Sequence, residues 1–179
     1  ENLYSRDSIG ALNGLTSFWT SPPRTSYNGG TTTARQALYN TLCFYYGARG
    51  DSTWIFMRPS SGNAYGAFLN PGFDTLAWIP AMEYELGWPA QHYQLAASGP
   101  AVDQTGGSYK VWSRQYPYGV VYIRPVDGFD AKWGSQSTPI TVSLGGNYRQ
   151  LQTDGTLGTV VTQISLRGGE GAIMIPAVT

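Results

Sequence analysis

The sequence is short of charge, cysteine, histidine and long apolar runs, and each shortage removes a class of function. Charged residues are 12% of the 179, against about 25% in an ordinary soluble domain. Eleven Lys and Arg balance eleven Asp and Glu; the only lysines are Lys110 and Lys132. A chain of zero net charge has no electrostatic grip on phosphate, so no nucleic acid is expected as a partner. The basic cluster that would hold it to anionic lipid is missing too. One cysteine, Cys43, forms no internal disulfide and builds no structural zinc site; its place in an apolar helical pattern reads as a buried free thiol. One histidine, His92, excludes a histidine-cluster metal site, and without a nucleophile elbow it makes no Ser–His–Asp case. No stretch nears the roughly 18 apolar residues of a membrane span, so no membrane span is expected. The opening residues, ENLYSRDSIG, have neither a basic nor an apolar region of signal-peptide type. Neither a phosphate loop nor a dinucleotide fingerprint occurs, and no cofactor is expected.

Aromatic residues, by contrast, are 14% of the chain, with 13 Tyr and 6 Trp beside 23 Gly. Few charges with many Tyr, Trp, Gly, Thr and Ser suit extracellular β proteins and sugar-handling proteins, and an extracellular or secreted location is expected. Aromatic faces stack on the C–H faces of pyranose rings; equally, they fill β-rich cores.

Residues 1–33 read as loop, interrupted by a brief apolar element at Ile9, Leu12, Leu15, Phe18 and Trp19. Thr33–Tyr46 reads as a helix, with threonines to cap its start and Gly47 to stop it. Its apolar stripe runs Ala34, Ala37, Leu38, Thr41, Leu42, Tyr45. The run Thr53-Trp54-Ile55-Phe56-Met57 suits a strand buried on both faces, as in a parallel sheet under helices. Helix, turn and apolar strand make half of an α/β unit. A weaker helical segment spans Asp74–Glu85, with Pro80 arguing for a break or a late start.

After a linker-like Ala96–Gly107 the period changes to two. Val111–Tyr116, Gly119–Val126, Ile140–Leu144, Tyr148–Gln152, Val160–Leu166 and Ala172–Ile175 read as six short strands. Turn residues separate them at Pro117-Tyr118-Gly119, Asp127-Gly128, Gly145-Gly146-Asn147, Asp154-Gly155 and Gly168–Gly171. Such spacing predicts an antiparallel β-sandwich or barrel. The fold class expected is therefore α+β overall: a small helix-containing α/β segment over residues 1–107, then an antiparallel β-sandwich over 108–179.

Candidate chemistry is sparse. Glycosidic bonds are usually cut by two carboxylates about 5–9.5 Å apart. Glu83 and Glu85 are the one close pair, and they read as solvated acids on diverging helical positions; Asp74 reads as an N-cap. Arg58, Asn63, Tyr65 and Asn70 lie in the loop after the apolar strand, where α/β architectures bind ligands, and are the candidate substrate-binding residues. An ordinary polar loop is the competing reading. Arg114 and Arg124 are expected at the surface or paired with acids.

Several stretches carry a resemblance: Ala34–Leu42 leading to Trp54-Ile55-Phe56, Glu85-Leu86-Gly87-Trp88-Pro89, Trp112–Tyr116 with Gly119–Pro125, Val142–Tyr148 and the closing Gly171–Ile175. In that order they resemble the C-terminal part of a family of glycoside hydrolases built as a (β/α)8 barrel followed by a β-sandwich. The resemblance implies the sandwich fold and a sugar-related setting, with carbohydrate as partner. It transfers no catalytic residue: the family's acids are expected on earlier barrel strands, in a missing N-terminal barrel half or a partner chain. Two other functions fit the residues. One is a non-catalytic carbohydrate-binding module with Trp112, Tyr116, Tyr118, Tyr122, Trp133 and Tyr148 as a stacking platform. The other is an extracellular or virion structural subunit that self-assembles by strand addition.

Overall fold

The computed structural model describes residues 17–20, 34–49, 53–56, 79–102, 108–125 and 138–177. A four-residue strand β1 (Ser17–Thr20) precedes the helix α1 (Ala34–Ala48), and β2 (Thr53–Phe56) follows it. β1 and β2 pair in parallel, Ser17 opposite Thr53 and Thr20 opposite Phe56. Parallel neighbours need a crossover, usually a helix, so β1, α1 and β2 complete the α/β unit of which the sequence showed half.

The second helical segment is, in its described part, a 3-10 turn at Pro80–Glu83 with Pro80 opening it. Proline tolerates a helical first turn, where its missing N–H is not needed, and that accounts for the late start. Six strands follow: β3 (Gln94–Pro100), β4 (Ser108–Tyr116), β5 (Gly119–Ile123), β6 (Ile140–Leu151), β7 (Leu157–Leu166) and β8 (Gly171–Pro176). They form one antiparallel sheet in the order β3-β4-β5-β8-β6-β7, curled into a half-barrel. The antiparallel β character expected from the period-two pattern is thus present, with the helix laid on the sheet.

Two expectations are corrected. The linker-like stretch after Ala96 is in part strand, because β3 pairs with β4 from Gln94 opposite Ser113 to Pro100 opposite Ser108. Its side chains are exposed or half-buried, so no apolar alternation announces it. Second, Gly145-Gly146-Asn147 is not a hairpin turn. β6 runs through it as one strand, bulged where the pairing jumps from Ser143/Gln163 to Tyr148/Val161. Gly145 takes the left-handed φ of 68° that lets the strand bend there. Ile140–Ser143 then pair with β7, while Tyr148–Gln150 pair with both β7 and β8 or with β8.

That bend separates two cores. On one face of the sheet, Leu38, Tyr39, Leu42, Cys43 and Tyr46 of α1 pack on Tyr116, Val121, Ile123, Leu151, Ile173 and Ile175. The buried helical face is therefore centred one residue beyond the stripe read from sequence, with Thr41 and Tyr45 half-buried at its edge. Cys43 is fully buried, as expected. Inside the curl, Val142, Leu144, Ile164 and Leu166 pack on Val111, Val120, Tyr122, Ala172 and Met174. Each buried aliphatic side chain contributes about 1.5–3 kcal/mol. The helix sits so close to β8 that a Cβ at Gly171 would stand 2.3 Å from Cys43 Cβ.

Polar side chains fasten the layers. Tyr116 Oη donates to the Tyr46 carbonyl at 2.6 Å. Arg114, two residues back on the same face of β4, donates to the carbonyls of Gly47, Arg49 and Gln91. Carbonyls in the last turn of a helix have no intrahelical donor, and a cation there also meets the negative end of the helix dipole. Arg124, with no exposed surface, donates to Thr138 O at 2.8 Å and Leu166 O at 3.0 Å, tying the end of β5 to the end of β7. Both arginines were expected at the surface or paired with acids; both are buried, and carbonyl oxygens are among their hydrogen-bond partners. Five donors in a fixed fork let one guanidinium satisfy several carbonyls that no strand pairing reaches.

Candidate functional site

The strands β6 and β8 stop pairing after Gln150 opposite Met174. The next rung would join Leu151 to Ile173, and the Tyr39 hydroxyl occupies it instead. Tyr39 Oη donates to Leu151 O at 2.6 Å and accepts from Ile173 N at 3.0 Å. A groove of about 230 Å3 lies between β6, β7 and β8. Gln150, Gln152, Gln163, Thr159 and Ser165 are its polar lining residues, and Val161 and Ala172 are among its apolar ones.

The groove is set by local chemistry. Gln152 Nε2 donates to the carbonyl of Gln150 at 3.1 Å. Gly158 faces that amide, and a Cβ there would lie 2.9 Å from Gln152 Nε2. Burial pushes the acidity of the Tyr39 hydroxyl well below that of an ordinary phenol. At the end of the groove strands, the β6–β7 turn is an Asx-type turn: Asp154 Oδ1 accepts from Thr156 N at 3.0 Å and Thr156 Oγ1 at 2.7 Å. Those bonds lower the Asp154 pKa.

The groove's amides and hydroxyls can hold a neutral ligand. Among the described residues no ionisable side chain lines it. Nor does any group of three His, Cys, Asp or Glu among the described residues converge as metal ligands. Glu83 and Glu85 are both exposed, as the sequence implied. No helix among the described residues is long and apolar enough to cross a membrane.

The substrate-binding residues inferred from sequence, Arg58, Asn63, Tyr65 and Asn70, lie outside the described residues, as do Asp74 and Trp133. The proposed stacking platform does not form one surface. Tyr116 and Tyr122 are buried in different cores, on opposite faces of the sheet. Trp112 is half-buried with its ring edge-on to Tyr93 at 5.3 Å, and Tyr148 is half-buried beside the inner core. Tyr118, at the β4–β5 turn, is 60% exposed. Trp88 is exposed to the same degree, with the Arg49 guanidinium 4.4 Å from its ring centre. The glutamines were not singled out from sequence, although Gln150-x-Gln152 on a strand puts two amides at the period of one face. No protein-family model, curated protein or solved structure matches the chain.

Proposed function

We propose that this chain is carbohydrate-active, the C-terminal part of a glycoside hydrolase in which the curled sheet buttresses a (β/α)8 barrel. The observation that carries the reading is the β1-α1-β2 unit fused through its helix to the antiparallel sheet. Parallel sheets occur almost only inside α/β layers covered on both faces. Two strands of four residues are too few for an independent sheet, so the unit calls for further strands beside it. Its helix is bound to the sheet by Tyr39, Arg114 and Tyr116, which supports a structural task for the sheet. In this reading the bend of β6 lays Ile140–Leu144 and the end of β7 over β5 and β8 as the second layer of a sandwich. The catalytic carboxylates belong to other barrel strands, and the loop holding Arg58, Asn63, Tyr65 and Asn70 contributes to the substrate cleft. An extracellular setting accords with the low charge and aromatic-rich composition.

The test is hydrolysis of plant and microbial polysaccharides by the natural polypeptide encoded by the whole reading frame, followed as release of reducing ends. Release by that polypeptide, lost when upstream carboxylates are replaced, supports the reading. A natural polypeptide without upstream barrel strands, or one that releases no sugar from any of them, overturns it. A carbohydrate-binding module without catalysis is the second reading, favoured by a groove whose described lining carries amides and no acid.

A further inference from the structure

We propose that the groove between β6, β7 and β8 binds a single neutral pyranose unit of a glycan, with Gln150, Gln152 and Gln163 as its hydrogen-bonding residues. The proposal does not depend on the hydrolase reading, because binding here needs no catalytic barrel. Charge decides the ligand class first. With no ionisable side chain among the described lining residues, an anion or cation would give up part of its hydration without a counter-charge, which is unfavourable. Phosphates, uronic acids and ammonium groups are therefore poor ligands.

The amides decide the second step. A primary amide offers two donors and an acceptor, and a sugar hydroxyl both donates and accepts, so each glutamine can serve a hydroxyl in either sense. One of the three is placed before a ligand arrives, Gln152, by its bond to the Gln150 carbonyl. Groups ordered in advance lose less freedom on binding. Between the amides, half-buried Val161 offers apolar surface to the C–H face of a ring. Size sets the limit. At about 230 Å3 the groove lies below the roughly 300–1,000 Å3 of drug-sized sites, so it suits one ring of a chain whose neighbours stay in solvent.

The experiment is an NMR titration of the isotopically labelled chain, following backbone and glutamine side-chain amides. The probes are neutral gluco-, xylo- and manno-oligosaccharides, with glucuronate as the charged comparison. Saturable shifts at the side-chain amides of Gln152 and Gln163 with at least one neutral sugar, and none with glucuronate, are expected. Gln163→Ala removes an exposed amide and weakens binding about three- to tenfold, the value of one hydrogen bond. Gly158→Ala, which pushes the Gln152 amide out of place, weakens it comparably. No shift with any neutral sugar at millimolar concentration overturns the proposal. So does an equal response to glucuronate, shifts centred on Trp88 and Tyr118, or binding unchanged in both variants. Sugar release by the natural polypeptide has no bearing on these outcomes, so the two proposals fail separately.

Discussion

The hydroxyl of Tyr39 lies 2.6 Å from the carbonyl oxygen of Leu151, standing in for a rung of the β6–β8 ladder. One phenol thereby joins the helix to two strands of the sheet. Tyr39 and Leu151 are both almost wholly buried, so water cannot replace the bond.

Tyr39→Phe keeps the ring in the core and removes only the hydroxyl. The Leu151 carbonyl and the Ile173 N–H then lose a partner in a dry place. The expected cost is about 1–3 kcal/mol, read as a lower urea midpoint with an unchanged m-value. Hydrogen exchange at Ile173 should quicken relative to Val121, which stays paired within the sheet. A variant as stable as the parent would show that β6 and β8 can close their own rung.

Gly171→Ala tests how closely the helix lies on β8. The added Cβ would meet Cys43 Cβ at 2.3 Å and the Tyr122 carbonyl at 3.1 Å, so the helix must move. Overpacking of this kind costs about 1–3 kcal/mol. Because the clash is with Cβ, Cys43→Ala should not rescue it, whereas Cys43→Gly should recover part of the loss beyond its own helix penalty of about 1 kcal/mol. A double-mutant cycle in denaturant measures the coupling.

Much of this framework was legible in the sequence, for reasons that show in particular residues. The helix announced itself because its buried side chains recur at helical spacing. β4, β5 and β8 did so because Val111, Val120, Val121 and Ile173 are apolar in runs bounded by turn residues. β3 did not, since an exposed edge strand needs no apolar alternation. β6 was split at Gly145-Gly146 because glycine pairs mark hairpins far more often than bends within a strand, and only the pairing with β7 distinguishes the two. Arg114 and Arg124 read as surface charges because nothing local reveals that carbonyls without a strand or helix partner await them. The groove was invisible for a similar reason: its lining residues come together only through the pairing of three strands.

Arg114 is expected to be irreplaceable by lysine. Its fork reaches the carbonyls of Gly47 and Arg49 at the helix end and that of Gln91 in the segment before β3. An ammonium group is a point donor that cannot span both sides. Arg114→Lys should cost about 1.5–3 kcal/mol, the range for hydrogen bonds to a charged group. Arg114→Met, which keeps the packing volume and removes the buried charge, is the comparison. If both variants melt with the parent, the arginine fills space and the caps are dispensable.

The buried hydroxyls and thiol together fix the alkaline limit of stability. Burial raises the pKa of Tyr39, Tyr46, Tyr116 and Tyr122, and that of Cys43 as well; for Tyr116 the neighbouring Arg114 opposes the rise. In the unfolded chain these groups ionise near their ordinary values, about 8.5 for a thiol and about 10 for a phenol. Between those values and the raised folded ones, the unfolded state binds fewer protons than the folded state. Stability must then fall as pH rises, beginning near the thiol value and steepening near the phenol value. Below about pH 8 these groups are protonated in both states and add no pH dependence. Urea midpoints measured across this range should be flat with respect to these groups near neutrality and decline above about pH 9. Phenolate absorbance offers a second measure: the hydroxyls of Tyr39 and Tyr116, whose pKa values burial raises furthest, should ionise only as the protein unfolds. Smooth ionisation of every tyrosine in the folded protein would mean that water reaches the face between helix and sheet, and the packing described for Tyr39 and Tyr116 would be wrong.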